Sequence, residues 1–251
     1  MEANALASSI VLACRKRSAD AATVTRRDFL NALKRELKPA LEKLQSSNLA
    51  PVDLAQSAIG PGMAVYSRFA QVLEADGSAM SVRTALQLIN RELDAYFSEQ
   101  DGELDSETRF CVDLFSQYGF KEMAYGEADV LMRAKNADPG RLEETGVLRM
   151  RGGKVSLVPP MEIPEKQGAE LRGLIWLLTQ RLARALREKG INGAAELIQS
   201  VRTSAPDRAK ALAYRLYQVA EKKGWAADAS LYNDLVTKRS EERRVGKECR
   251  S

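Results

Sequence analysis

The chain has 251 residues, 45% hydrophobic and 29% charged, an ordinary globular balance with room for one large or two small domains. It contains no histidine, which excludes Ser-His-Asp and Cys-His catalysis and histidine-ligated zinc within the chain. The formal net charge is +4, but five cations against three carboxylates in the last thirteen residues supply half of it, so the body is near balance and a broad basic face is not expected.

Cys14, Cys111 and Cys249 are scattered and odd in number, which argues against a disulfide framework or a zinc ribbon and makes a reducing, cytoplasmic setting the expectation. No apolar run approaches the ~20 residues of a membrane helix. Ser8 to Cys14 is also too short an apolar core for a signal peptide.

In chain order, SSIVLAC at Ser8–Cys14 places Ile10, Val11 and Leu12 side by side, the pattern of a strand buried on both faces of a parallel sheet. Nothing downstream supplies further strands of that kind. The expectation is an orphan strand, residues 1–17, left over from a domain that is missing. Thr25 to Gln45 reads as a helix with Phe29, Leu33, Leu37 and Leu41 on one face, Thr25 as N-cap and Asp28 in the first turn. Pro39 is expected to kink or split it.

Ala50 to Leu93 is the most distinctive run. Pro51 starts a short helix, and Gly60-Pro61-Gly62 is expected to break and restart it as a tight corner. That triplet lacks the spacing of a phosphate loop. Met63 to Leu73 reads as the next helical face, Ala75-Asp76-Gly77-Ser78 as a turn, and Ser81 as the N-cap of a longer helix through Tyr96. Residues 24–100 thus form a helical region.

Residues 101–160 change rhythm. Asp105 caps a helix stopped by Gly119, a second helix runs from about Gly126 to Lys135, and a third starts at Asp138-Pro139 and ends at Gly146. Val147 to Val158 alternates around Gly152-Gly153, the signature of a hairpin. Three helices and a hairpin make a winged-helix-like unit. After the Pro159-Pro160 and Pro164 linker, residues 168–238 carry amphipathic helices interrupted at Gly190 and opened again at Pro206-Asp207, with Trp225 plugging a corner. Residues 239–251, RSEERRVGKECRS, show no apolar periodicity and read as a non-native tail or a genuine basic one. The expected fold is mainly α, a multi-helix bundle with an embedded winged-helix-like unit and one orphan N-terminal strand.

The segments SSIVLACRKR, APVDLAQSAIGPGMAVYSRFAQVLEADGSAMSVRTALQLIN, YGEADVLMRAKN, GVLRMRGGKVSL and LAYRLYQVAEKKGWAADASLYNDLVT resemble the C-terminal region of the predicted adenine-specific DNA methylases that carry domain of unknown function 1156, often with a zinc ribbon, and occur beside anti-phage systems. The resemblance covers about Ala5 to Lys238. It implies a fragment whose catalytic machinery lies upstream, in a missing methyltransferase domain that uses S-adenosylmethionine and a target base taken out of the stack. The fragment itself holds no cofactor. Neither Val158-Pro159-Pro160-Met161 nor Asp138-Pro139-Gly140 matches the Asp/Asn-Pro-Pro-aromatic motif, so no catalytic residue carries over. The implied role is accessory, inactive alone, assisting contact with the DNA phosphate backbone or with defence-system proteins. The competing reading is a protein-interaction scaffold without nucleic-acid contact.

Candidate nucleic-acid-binding residues are Arg149, Arg151 and Lys154 on or beside the wing, with Arg133 and Lys135 at the end of the second helix. Against a DNA-reading role, the third helix carries Asp138, Glu143 and Glu144 against one Arg141. A partner-binding wing therefore stands beside a phosphate-anchoring one. Glu143-Glu144 and the Asp101/Glu103 pair read as solvated charge, Cys111 as a buried structural thiol, and Tyr214, Tyr217 and Trp225 as core rather than a stacking set for single strands.

Overall fold

The computed structural model describes residues 16–47, 49–100, 104–165, 173–201 and 205–248. The expected orphan strand at Ser8–Cys14 and the Asp101/Glu103 pair lie outside these residues. The rest is mainly helical, 71% helix with a few small strands.

Strand β1 (Thr23–Thr25) leads into α1 (Arg26–Ser46). A reciprocal capping box starts the helix: the Thr25 hydroxyl accepts from the Asp28 N–H while the Asp28 carboxylate accepts from the Thr25 N–H. Of the two outcomes expected at Pro39, the split is absent: α1 continues through it. Pro39 lies on the exposed side of the helix.

Helix α2 (Pro51–Arg68) likewise runs straight through Gly60-Pro61-Gly62, so the expected corner is absent. Gly62, though not Gly60, answers to packing instead. A Cβ on Gly62 would stand 2.7 Å from the fully buried Ile89 side chain, so Gly62 is where α2 and α3 (Val82–Gln100) cross at close range. The chain after Arg68 is not helical as the apolar pattern predicts. Gln71–Leu73 forms β2, paired in parallel with β1, Thr23 against Gln71 through Thr25 against Leu73. Val72 is buried beneath this short ribbon. The Asp76-Gly77 turn is present with Gly77 at φ +81°, and the Ser81 hydroxyl accepts from the Thr84 N–H at the start of α3.

The middle of the chain gives α4 (Ser106–Tyr118), β3 (Met123–Ala124), α5 (Tyr125–Lys135), α6 (Pro139–Glu144), β4 (Leu148–Arg151) and β5 (Lys154–Leu157). The three strands form one antiparallel sheet in the order β3-β5-β4. This is the winged-helix arrangement, with β3 added to the three helices and hairpin legible in sequence. Gly152 and Gly153 both have positive φ, 59° and 73°, as a two-residue hairpin turn requires. Register pairs Leu148 with Leu157 and Met150 with Val155 on the core face, leaving Arg149, Ser156, Arg151 and Lys154 on the other.

A 3₁₀ turn at Pro160–Glu162 leads to α7 (Ile175–Val201), bent at Gly190 (φ 66°), then α8 (Ala205–Lys223) and α9 (Ala226–Glu248). One continuous core joins everything. Within it Phe115 on α4 is fully buried, with ring centroids of Phe120, Trp225, Trp176 and Tyr232 at 5.2, 5.4, 6.0 and 6.0 Å. The winged unit is therefore docked by α4 onto α7, α8 and α9. The first region joins the same body through Lys222 to Asp94 at 3.2 Å and through the Tyr214 hydroxyl to the Leu49 carbonyl.

Candidate binding surface on the winged-helix unit

Alternation along β4 and β5 places Arg149, Arg151 and Lys154 together on the outer face of the sheet. They surround a hollow of about 270 Å³ whose walls include Glu122 and Ser156. Two of the three cations are already engaged. Arg149 lies 2.7 Å from Glu162 and Lys154 lies 3.0 Å from Glu122. Arg151 has no ion pair among the described residues. Three cations against two carboxylates leave this patch one net positive charge, which is weak for holding a polyanion. Glu122 and Glu162 were not legible as partners in sequence, because each comes from a separate loop that only the sheet brings alongside.

Arg133 and Lys135 do not join the wing. Tyr125, at the start of α5, hydrogen-bonds the wing through its N–H to the Gly153 carbonyl, so the two cations sit about 12–15 Å further along the helix. Arg133 pairs with Asp129 at 2.9 Å one turn back, and Lys135 pairs with Asp113 on α4 at 2.9 Å. Both complement the negative end of α5, and Lys135 ties it to α4. The five sequence candidates thus form two separate sets.

Helix α6 occupies the position that reads the major groove in DNA-binding winged helices. It has six residues, with the Asp138 carboxylate accepting the N–H of Gly140 at 2.9 Å. Leu142 is buried, whereas Glu143 and Glu144 face solvent. Arg141 turns inward: one guanidinium nitrogen lies 3.0 Å from the Glu107 carboxylate and another donates to the Gly173 carbonyl at 2.9 Å. Just after the helix, a Cβ on Gly146 would come within 2.4 Å of the Pro164 ring. The far end of α6 is therefore covered by the chain leading to α7.

The remaining candidates are placed as structure. Cys111 is fully buried, and burial pushes its thiol well above the ordinary range, reinforced by the negative charge of Asp105 and Glu107. Tyr214 is buried, and Tyr217 donates to Glu221 at 2.9 Å. Trp225 packs its ring against the Gly119 backbone and the edge of Phe115. None of the three offers an open face for a base. Among the described residues no group of three or more Cys, Asp or Glu could hold a metal ion, and no helix is long and apolar enough to cross a membrane.

A family model described as a domain of unknown function, DUF8807, matches residues 105–250. The chain belongs to this family. The DUF8807 match begins at the cap of α4, spans the winged unit and the C-terminal helices, and takes in the stretch 239–250 set apart in sequence as a tail. It overturns the resemblance to adenine-specific methylases. The segments YGEADVLMRAKN, GVLRMRGGKVSL and LAYRLYQVAEKKGWAADASLYNDLVT, which carried much of that resemblance, lie inside the DUF8807 span, and no methylase family is matched. The ground for an absent methyltransferase domain and for S-adenosylmethionine goes with it. No curated protein and no solved structure matches the chain.

Proposed function

We propose that this DUF8807 protein is an interaction scaffold whose winged-helix unit contacts another protein rather than reading DNA sequence. The observation that carries the reading is α6. A reading helix needs side chains that reach base edges, and cations are the commonest of them. The single cation of α6, Arg141, is spent on Glu107 and Gly173, while Glu143 and Glu144 would face the phosphates and repel them. Exposed apolar side chains on the neighbouring helix, Tyr125 and Val130 of α5, support a protein contact.

A second reading is anchoring of a phosphate backbone by the wing. Arg151, without an ion pair among the described residues and beside Arg149 and Lys154, favours it. The surface pairs of Arg149 and Lys154 are each worth only about 0–1 kcal/mol and could exchange for phosphate.

A gel shift with duplex DNA over a range of salt separates the two. The scaffold reading expects no discrete complex at physiological salt and no preferred sequence from a randomised pool. Selection of a defined site would overturn it. Salt-sensitive, sequence-independent binding that disappears in an Arg149→Ala, Arg151→Ala, Lys154→Ala variant would establish the anchoring reading instead.

A further inference from the structure

The sheet of the winged unit ends on β4, since the strand order is β3-β5-β4. Hydrogen-bonded pairs alternate along an antiparallel ladder. The Val158 N–H donates to the Val147 carbonyl at 2.9 Å, so the pairs that bond β4 to β5 recur at Arg149 and Arg151. The N–H and C=O of Met150 therefore point outward from the edge, and among the described residues no backbone group meets them. Leu148 is buried, so the open stretch begins at Arg149 and runs to the turn at Gly152. Arg149 and Arg151 flank Met150 on the outer face, and both are exposed. Arg149 is met by Glu162, whereas Arg151 has no ion pair among the described residues.

We infer that this edge takes an extended acidic segment of a partner protein as an added strand. The inference rests on the scaffold reading of the winged unit and names the chemistry of its partner. An unpaired edge is a template for another strand, and Met150 offers it one main-chain donor and one acceptor. Charge then selects the partner. Side chains alternate along a strand, so residues two apart in the added strand stand beside Arg149 and Arg151 on the outer face. A carboxylate beside Arg151 meets a guanidinium with no ion pair of its own. Carboxylates from within the chain already occupy the other two cations, Glu162 on Arg149 at 2.7 Å and Glu122 on Lys154 at 3.0 Å, so the face accepts this group. One net positive charge matches one carboxylate and is a poor match for a polyanion. A second copy of the chain is disfavoured, because β4 laid antiparallel on its twin about Met150 sets arginine beside arginine.

The test uses the full chain and two labelled peptides of about ten residues, one alternating threonine with glutamate and one alternating threonine with lysine. Anisotropy titrations should show the acidic peptide binding at least about tenfold tighter than the basic one. Arg151→Glu should weaken the acidic peptide at least about tenfold. Glu162→Gln frees Arg149 for a second carboxylate and should tighten it about threefold. Circular dichroism melts check that both variants fold. Methylating the peptide's backbone nitrogens at every second residue should abolish binding in one of the two registers and spare it in the other, because only alternate N–H groups face β4. Equal binding of the two peptides, unchanged affinity in Arg151→Glu, no gain in Glu162→Gln, or equal effects of the two methylation registers would each overturn the proposal. Failure of the acidic peptide to bind a protein that also selects no DNA site overturns strand addition alone. Selection of a DNA site overturns the scaffold reading along with it.

Discussion

The Asp105 carboxylate accepts the backbone N–H of Ile175 at 3.2 Å, seventy residues further along the chain. Its other oxygen accepts the N–H of Thr108 at 2.8 Å, closing the first turn of α4. Thr108 completes the link by donating its hydroxyl to Asp105 and accepting the Trp176 N–H at 2.9 Å. Two helix starts thus share one cap, and α4 and α7 are held with their N-termini together.

Asp105→Ala removes both caps at once and leaves a buried N–H at the head of α7. The expected loss is about 2–3 kcal/mol, more than a single exposed cap supplies. Asp105→Asn keeps one acceptor and should lose about half as much. Urea denaturation of the three proteins checks the order; equal stability of the alanine and parent proteins would contradict the shared cap.

Gly62→Ala should cost about 1–3 kcal/mol, because the new methyl meets a buried Ile89 that has nowhere to go. Adding Ile89→Val opens room for it. The double variant should be more stable than the sum of the single changes predicts, and a double-mutant cycle measures the excess. The same change at Gly60, where nothing lies within 4 Å, should be neutral or slightly stabilising.

The Arg68 guanidinium grips Glu36 with two hydrogen bonds of 3.0 and 2.9 Å, joining the end of α2 to α1. This contact holds the Glu36 carboxyl below its ordinary value of 4.5. The unfolded chain therefore takes up the proton first as acid is added. The stabilisation is complete above about pH 4.5 and is lost as pH falls through the depressed value. Chemical denaturation between pH 7 and pH 3 should show Glu36→Gln less stable at neutral pH, the gap closing in acid. A gap independent of pH would exclude this pair as its source.

Cys111 should resist alkylation in the native protein and react only on unfolding, since its thiol is both buried and held protonated. Peptide mapping after iodoacetamide treatment with and without urea reads this out, separately from Cys14 and Cys249. Rapid native labelling of Cys111 would show that α4 opens locally.

What could be read in advance follows the range of the interactions involved. The caps at Thr25, Ser81 and Asp105, the helix start at Asp138-Pro139, the stop at Gly119 and the hairpin at Gly152-Gly153 each depend on residues within a few positions, and each is where the pattern placed it. The strands Thr23–Thr25 and Gln71–Leu73 are three residues long, too short for alternation to register, and exist because each supplies the other's hydrogen bonds. Gly60-Pro61-Gly62 misled for a related reason. Its local propensity favours a break, but the close crossing over Ile89 repays a continuous helix. At the candidate site, the alternation of Arg149 and Arg151 was legible, whereas the carboxylates of Glu162 and Glu122 that occupy the cations, and the inward turn of Arg141, depend on neighbours 13 to 34 positions away.

The Phe115 ring belongs to the winged unit, yet three of the four aromatic rings around it, Trp176, Trp225 and Tyr232, come from α7, the α8–α9 corner and α9. Cutting the chain between wing and bundle would expose this aromatic surface to water on both pieces. The two parts should therefore melt in a single calorimetric peak, and an excised wing should aggregate. A partner that grips the wing would thereby brace the entire C-terminal half against thermal unfolding.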